Sequence, residues 1–316
     1  MINWKAITKT KKMEKRIIVL GGTGLVGKAL QRIMPKAKYF GSGLYDLTSQ
    51  SDVDHLFIEN PCDVVINLAA IVSGIEDNIL RPCDHFTENV FINTFVIDSA
   101  RRYNVSRCIS ILSTCAYPDI AKSYPLLESQ IFEDIPTKTN FSYGYAKRMA
   151  AVQTLATNEQ YGTKFSYLIP SNIFGLNDKY EDARSHYIGA LIKKIHLAKV
   201  NNQTSITLFG TGTPIRQFIF CEDVAKILKH IIDNDVTENL NIANDDIFTI
   251  DDIARVALKA CDMEHLEIVY DANKPDGQYR KDCSNEKLKR VMPDFEFTSL
   301  FDGIKQTFAF YEKNHS

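Results

Sequence analysis

Apolar and polar positions are arranged in two distinct ways along the first half of the chain. Continuous apolar runs occupy four short segments: residues 16–20, 63–70, 107–113 and 165–171. Between them, apolar residues recur at helical spacing in four longer segments: residues 24–34, 49–59, 84–103 and 143–161. Continuous apolar strands that alternate with amphipathic helices are typical of a parallel sheet covered on both faces. The pattern predicts an α/β, Rossmann-like, doubly wound fold.

The pattern loosens after about Gly175 and indicates a second, smaller unit. The predicted elements there are two short strands and four helices: ITLFG, QFIF, and residues 186–198, 222–233, 249–261 and 298–313. This mixture favours an α+β substrate lobe beside the nucleotide lobe. The predicted division is a dinucleotide-binding domain at 13–173 with a return segment near 221–247, a substrate lobe at 174–220 and 248–316, and a flexible extension at 1–12.

Composition narrows the class of partner. The 316 residues carry a net charge of -2, which disfavours nucleic acid. The apolar runs are much shorter than the roughly 20 residues that span a bilayer, so we expect no membrane contact. The seven cysteines have neither C-x-x-C nor histidine-rich spacing, which disfavours a metal site and a disulfide framework. Reduced thiols in a cytoplasmic protein are the expectation.

A glycine-rich loop directly follows the first predicted strand. In VLGGTGLVG, Gly21, Gly24 and Gly27 stand where the strand ends and a helix begins. Glycines there permit a tight turn, so that the helix N-terminus can approach a pyrophosphate. A merely structural turn is the alternative, but the order of strand, loop and helix favours dinucleotide binding. The residues that we expect to contact the cofactor in this loop are Gly21, Thr23, Gly24, Leu25, Val26 and Gly27.

The turn after the second strand bears on the choice of cofactor. An acidic residue there would bind the ribose hydroxyls of NAD, and a basic residue would bind the 2′-phosphate of NADP. The segment AKYFGSGLYDLT has neither at the expected tip, which reads Gly41, Ser42 and Gly43. These residues leave the choice open, although the missing acid favours NADP(H), with Ser42 beside it.

Tyr143 and Lys147 stand four residues apart at the start of a predicted helix. This spacing puts both side chains on one helical face, whereas Tyr145 points elsewhere. An ammonium near a phenol lowers the phenol pKa from about 10, and such a tyrosine can protonate a carbonyl oxygen as hydride reaches the carbon. An ordinary amphipathic helix is the alternative. Ser113, at the end of the fourth strand, would bind the same carbonyl, and Thr114 could add a second hydroxyl.

Further motifs carry a specific resemblance. The segments STCAYPD, NFSYGYAKRM, IPSNIFG, SHYIGALIKKIHLAK, GTGTPIRQFIF and KPDGQYRK are similar to those of the GDP-L-fucose synthases, within the extended short-chain dehydrogenase/reductase family. The resemblance runs from Met13 to about Asn314. It implies a 3,5-epimerase and NADPH-dependent 4-reductase that acts on GDP-4-keto-6-deoxy-D-mannose.

The resemblance also implies roles for individual residues. Ser113, Tyr143 and Lys147 match the reductive triad, and Cys115 and His186 match the epimerisation pair. Ala69, Ala70 and Asn172 match positions that border the cofactor, and Asn172 also borders the substrate. Four residues match the side that binds the GDP moiety: Lys194, Phe209, Arg216 and Lys281. Relatives commonly form homodimers, here through residues 84–103 and 143–161.

The chemistry agrees with this pair of residues. A ketone at C4 makes the hydrogens on C3 and C5 acidic, and inversion needs acid/base groups on both faces of the ring. A thiol and an imidazole, with reference pKa values of about 8.5 and 6.5, are suited to this near neutral pH. The alternatives left open are a related epimerase or C4-reductase for a GDP-linked 6-deoxy-heptose or colitose precursor, and a non-catalytic dinucleotide sensor.

Overall fold

A six-stranded parallel sheet lies at the centre of the computed structural model, which describes residues 14–180, 185–274 and 276–315. Its strands are β1 (Ile17–Leu20), β2 (Lys38–Phe40), β3 (Val64–Asn67), β4 (Arg107–Ile111), β5 (Ser166–Pro170) and β10 (Leu240–Ile242). They lie in the order β2-β1-β3-β4-β5-β10. The chain therefore runs outward from β1 to β2 and then crosses back to β3. Ligands of such sheets bind at this reversal, outside the carboxyl ends of the strands.

Helices cover both faces of the sheet. Those on one face are α1 (Leu25–Ile33) and α7 (Cys221–Asp233), and those on the other are α2 (Gln50–Glu59), α4 (Pro82–Arg102) and α5 (Phe141–Tyr161). Successive side chains of β1 alternate between the two cores: Val19 joins α1 and α7, and Ile18 and Leu20 join the opposite layer. Each such buried side chain contributes about 1.5–3 kcal/mol. Burial on both faces explains why the strand is continuously apolar.

Shorter elements build the second lobe. Three strand pairs lie there or at its border: β6 (Asn172–Phe174) with β9 (Phe218–Phe220), β7 (Ser205–Phe209) with β12 (Glu267–Asp271), and β8 (Ile215–Arg216) with β11 (Phe248–Thr249). The remaining helices are α3 (Ile75–Leu80), α6 (Tyr187–Val200), α8 (Ile250–Ala260), α9 (Glu286–Val291) and α10 (Leu300–His315). Buried residues of α6, α8 and α10 join the same apolar cluster as α1 and α7. The lobe is thus packed continuously against one face of the sheet.

The predicted fold class is confirmed, and the predicted helices agree with the observed ones to within two residues at each end. Seven helices and strands were not predicted: α3, α9, β6, β8, β10, β11 and β12. The helices α3 and α9 have six residues each, four of the strands have only two or three, and β12 has partly exposed residues that break the apolar pattern. The division into domains stays a prediction, and the extension at 1–12 lies outside the described residues. In the part of the chain that is described, no helix combines the length and apolarity needed to cross a membrane.

Candidate active site

The glycine loop lies tightly between β1, α1 and the end of β3. Gly21 has a φ of 76°, and a Cβ on it would lie 2.9 Å from the backbone nitrogen of Ala69. A Cβ on Gly27 would lie 2.4 Å from the carbonyl oxygen of Gly22. Side chains at these positions would collide with the backbone of Leu68 and Ala69 and with the loop itself. Gly24 is the N-cap of α1 and provides no capping side chain, so the first-turn amides, which include those of Leu25 and Val26, can bind a pyrophosphate.

The turn after β2 packs directly on this loop. A Cβ on Gly41 would lie 2.7 Å from Cγ2 of Thr23, so only a glycine allows the contact. Thr23 and Ser42 are exposed and offer hydroxyls at this end of the cleft. The nearby Asp46 carboxylate accepts hydrogen bonds from the backbone nitrogen and hydroxyl of Thr48. The turn therefore offers hydroxyl groups to an adenosine ribose. The Asp46 carboxylate is occupied by its hydrogen bonds to Thr48.

Ser113 occupies the central position at the carboxyl end of β4. It caps a short 3-10 turn, Thr114–Ala116, and its Oγ accepts a hydrogen bond of 3.2 Å from the backbone nitrogen of Cys115. The same hydroxyl lies near the Cys115 thiol and the Tyr143 phenol, and it lowers the pKa of both groups. Thr114, the other hydroxyl considered from the sequence, is buried. One serine hydroxyl thus lies near both the candidate thiol, Cys115, and the candidate proton donor, Tyr143.

Tyr143 and Lys147 lie one turn apart on α5, as the spacing predicts. The Lys147 Nζ is 5.8 Å from the centre of the Tyr143 ring and donates a 2.9 Å hydrogen bond to the carbonyl oxygen of Ile111. Burial raises the pKa of Tyr143, and the nearby Cys115 raises it further. The net direction is therefore the opposite of the expected lowering, because burial exceeds any effect of the Lys147 charge. Burial lowers the pKa of Lys147 itself to about 8. A phenol with a raised pKa keeps its proton and can donate it.

Cys115 receives two hydrogen bonds at its sulfur. Nδ2 of Asn140 lies 3.3 Å from Sγ, and Nζ of Lys281 lies 3.5 Å from it. Burial alone would raise the pKa of the thiol. The positive charge of Lys281 and the hydrogen bonds of Ser113, Lys281 and Asn140 together lower it by more, so the pKa lies below its ordinary value. A lowered pKa is typical of a reactive thiol. Asn140 was not expected from the sequence, although its place three residues before Tyr143 could have drawn attention to it.

His186 lies at the start of α6, where it is the N-cap residue. Its side chain is accessible to water, although neighbouring protein atoms surround part of the imidazole. This partial loss of hydration lowers the pKa of the imidazole, and the charges of Lys281 and Lys179 lower it further. His186 and Cys115 therefore both respond to the ammonium of Lys281.

The residues matched to the GDP side form two groups. Lys194 lies 4.9 Å above the exposed ring of Phe209, and Lys274, which the sequence analysis did not single out, lies 5.1 Å from the same ring. Arg216 lies closer to the thiol: it donates to the carbonyl oxygens of Ile215 and Asp276, and its pKa responds to Cys115. Asn172 Nδ2 donates a 3.1 Å hydrogen bond to the carbonyl oxygen of Gln217. Lys281 belongs with Cys115 rather than with Phe209.

Comparison with known proteins agrees with this arrangement. The model of the NAD dependent epimerase/dehydratase family matches residues 17–243. The chain belongs to this family. The match extends from β1 to just past β10 and so includes the central sheet, the glycine loop and the candidate residues of α5.

Individual members of the epimerase/dehydratase family are similar over nearly the full length. A GDP-L-fucose synthase of Dictyostelium discoideum is 37% identical, with 96% of this chain and 97% of the relative covered. A probable GDP-L-fucose synthase of Drosophila melanogaster is 34% identical, with 95% and 98% covered. The solved structure of a GDP-L-fucose synthetase from Naegleria fowleri bound to NADP has a TM-score of 0.86 and 30% identity, with 96% and 95% covered. The predicted resemblance is confirmed.

Proposed function

We propose that this chain converts GDP-4-keto-6-deoxy-D-mannose to GDP-L-fucose, as a 3,5-epimerase and NADPH-dependent 4-reductase. The observation that carries the proposal is the position of the Ser113 hydroxyl, which accepts a hydrogen bond from the backbone of Cys115 and lies near enough to the thiol and to the Tyr143 phenol to lower the pKa of both. A group suited to proton removal and a group suited to ketone protonation thus share one carbonyl-binding position. The named relatives support the choice of sugar nucleotide.

Epimerisation uses Cys115 and His186 on opposite faces of the sugar. The thiolate takes the proton from a carbon beside the ketone: the C–H bond breaks, an S–H bond forms, and the electron pair moves onto the ketone oxygen. Hydroxyls of Ser113 and Tyr143 stabilise that oxygen by hydrogen bonding. On the other face the imidazole of His186, which takes up a proton from water, gives a proton to the carbon as the electron pair returns from the ketone oxygen, and this inverts the carbon. The lowered pKa of His186 makes its protonated form a stronger acid.

Reduction follows at the same ketone. When bound, NADPH would supply a hydride to C4. Tyr143, which burial keeps protonated, would give its proton to the oxygen. Lys147 is buried on the same face of α5 and lies close enough to favour the tyrosinate that remains. Ser113 keeps the oxygen in place through both half-reactions.

The residues that we propose to hold NADP(H) surround the carboxyl ends of β1 and β3. The glycine loop would bind the pyrophosphate, Ala69 and Ala70 would border the dinucleotide, and Asn172 would lie near its reactive end. The close backbone packing at Gly21 and Gly27 is the tight turn that such a loop needs to approach a dinucleotide. Thr23 and Ser42 support NADP over NAD because they place hydroxyls, rather than a carboxylate, beside the ribose.

The GDP moiety would lie across the second lobe. The exposed Phe209 ring offers a stacking surface for the base, and Lys194 and Arg216 offer cations for the diphosphate. Lys274 adds a second ammonium beside Phe209. These contacts would fix the sugar so that its ketone reaches Ser113.

Hydrogen exchange tests the proposal directly. In deuterated water without NADPH, the protein should exchange the hydrogens on C3 and C5 of GDP-4-keto-6-deoxy-D-mannose, as read by mass spectrometry. Addition of NADPH should then yield GDP-L-fucose, with slower turnover on NADH. Cys115→Ser should lose most exchange while it still binds NADPH. Absence of exchange by the intact protein would refute the epimerase, and faster turnover of a GDP-4-keto heptose would favour the alternative substrate.

We also propose a homodimer formed through α4 and α5, which pack against each other. Their outer surface exposes large apolar side chains: Phe91 is 41% exposed, Met149 43% and Val152 53%. A second copy of the same surface would cover them, as expected for a two-fold interface. Light scattering should give twice the chain mass, and Val152→Glu should give monomers; a monomeric parent protein would refute this.

The proposed compartment is the cytosol. All seven cysteines are free thiols, including the exposed Cys83. Such thiols persist in reducing compartments. Fractionation of the host cell, with immunodetection of the chain, would test the assignment.

A further inference from the structure

Two polar groups from distant parts of the chain meet at one sulfur atom. Lys281 follows Cys115 by 166 residues, yet its Nζ lies 3.5 Å from Sγ. The Asn140 amide, just before α5, donates to the same sulfur at 3.3 Å. A lysine and an amide that both donate to sulfur favour the anionic form, because a thiolate accepts such hydrogen bonds better than a thiol.

The backbone directly after Lys281 is fixed by long-range hydrogen bonds. The nitrogen of Leu126 donates to the carbonyl oxygen of Asp282 at 2.8 Å, and the nitrogen of Cys283 donates to Oε1 of Gln217 at 2.9 Å. The Asp282 carboxylate is engaged by Arg280, with 2.6 Å between Oδ1 and Nε. The acid adjacent in sequence is therefore paired elsewhere, and the Lys281 side chain extends to the sulfur from a rigid segment.

Other titratable and charged groups also lie around the sulfur. Arg216, on β8, is a second cation that responds to the Cys115 charge. Tyr143, on α5, is protonated and therefore neutral, and His186, on α6, responds to the same lysine. The lysine is the cation in hydrogen-bonding contact with the sulfur.

We propose that Lys281, assisted by Asn140, holds Cys115 as a thiolate before substrate binds, and that Lys281 is thus a positioning residue for the base rather than a ligand of the diphosphate. The base role rests on the proposed epimerase function. In that role the preformed thiolate takes the carbon-bound proton, and the resulting thiol loses it to water before the next cycle. The lysine transfers no proton in this cycle and supplies only its charge and its hydrogen bond.

The titration of Cys115 can be measured without substrate. Iodoacetamide alkylation of the full chain is followed against pH, and the peptides that carry Cys115 and the exposed Cys83 are quantified separately by mass spectrometry. In the parent protein, Cys115 should reach half-maximal reactivity at a lower pH than Cys83. Lys281→Met should slow Cys115 alkylation at neutral pH by about tenfold or more, because an opposite charge at this distance shifts a pKa by roughly one or more.

Matched variants separate this electrostatic role from a general loss of structure. Lys281→Arg keeps the charge and should restore most of the lost reactivity. Lys289→Met removes a different lysine, which pairs with Asp245, and it should leave the alkylation profile of Cys115 unchanged. Cys83 reports in each sample whether alkylation itself has changed. An unaltered Cys115 profile in folded Lys281→Met would overturn the proposal.

GDP binding distinguishes the two roles of the lysine. Calorimetry should give nearly the same GDP affinity for the parent protein and for Lys281→Met. A tenfold loss of GDP affinity with an unchanged thiol profile would assign Lys281 to the diphosphate instead. Because alkylation requires neither cofactor nor sugar, it tests Lys281 even if the exchange assay refutes the epimerase.

Discussion

The carbonyl group of Cys115 packs directly on Gly144: a Cβ on that glycine would lie 2.4 Å from the Cys115 oxygen. One turn later on α5, Arg148 donates to the carbonyl oxygen of Ala116 through Nε and Nη2, at 3.1 and 2.8 Å. The helix that carries Tyr143 therefore also holds the segment that carries the thiol.

Gly144→Ala should reduce C3 and C5 exchange by about tenfold or more, because the added methyl group displaces Cys115 from its position in the site. NADPH affinity should change little, since the glycine loop lies elsewhere. Exchange is measured by mass spectrometry and affinity by fluorescence titration. Glu159→Ala, on the exposed end of the same helix, is the control, and full exchange by Gly144→Ala would show that the segment can move freely.

Tyr143→Phe should lose reduction by roughly 10²- to 10⁴-fold, because it removes the proton donor. The thiol, the imidazole and the Ser113 hydroxyl remain, so C3 and C5 exchange should fall much less than reduction, because it loses only one of two hydrogen bonds to the ketone oxygen. NADPH oxidation by absorbance and exchange by mass spectrometry give the two rates. Equal loss of both activities would mean that the phenol is also needed for proton removal.

Gly27→Ala should weaken NADPH binding and destabilise the fold by about 1–3 kcal/mol, because its Cβ would overlap the carbonyl oxygen of Gly22. Gly43→Ala is a matched control in the turn after β2, where a Cβ meets nothing within 4 Å. Thermal unfolding with and without NADPH measures both effects. Similar behaviour of the two variants would argue against the close approach at Gly27.

Asp178 should make stability depend on pH. Burial raises its pKa to about 6, and among the described residues its Oδ2 has no hydrogen-bond partner. The unfolded chain ionises near pH 4, so stability is lost as the pH rises from there through about 6. Relative to the parent, Asp178→Asn should gain roughly 1–3 kcal/mol between pH 4 and pH 8 in urea unfolding. Asp294→Asn, at an exposed position, should gain none; a parallel pH dependence of Asp178→Asn and the parent would contradict the assignment.

Local features of the sequence were sufficient for the sheet and for the cofactor loop. Buried strands such as β3 are apolar at every position but one, and the glycine spacing reflects contacts within a few residues of the loop. Tyr143 and Lys147 share a face because helical geometry requires it. These relations depend on near neighbours in the chain, which a pattern of residues can express.

The environment of the thiol depends on distant segments and could not be derived in that way. Lys281 reaches Cys115 because hydrogen bonds hold the segment 278–284 against the loop 118–126 and against Gln217. The direction of the Tyr143 pKa likewise follows from burial, which the spacing of two residues does not contain. Resemblance to a family indicated that Lys281 is a functional residue on the GDP side. The structure places its ammonium beside the Cys115 thiol.

The Ser113 hydroxyl carries a single hydrogen, and this sets an order of events. With the cleft free of substrate, that hydrogen can be given to the Cys115 sulfur, where it helps to hold the negative charge. Once a ketone oxygen arrives, the same hydrogen is drawn to it and the sulfur loses a donor. A thiolate with fewer donors is a stronger base. Binding of the substrate would therefore increase the basicity of the thiolate that removes its proton. In the empty site the same thiolate would be a weaker base.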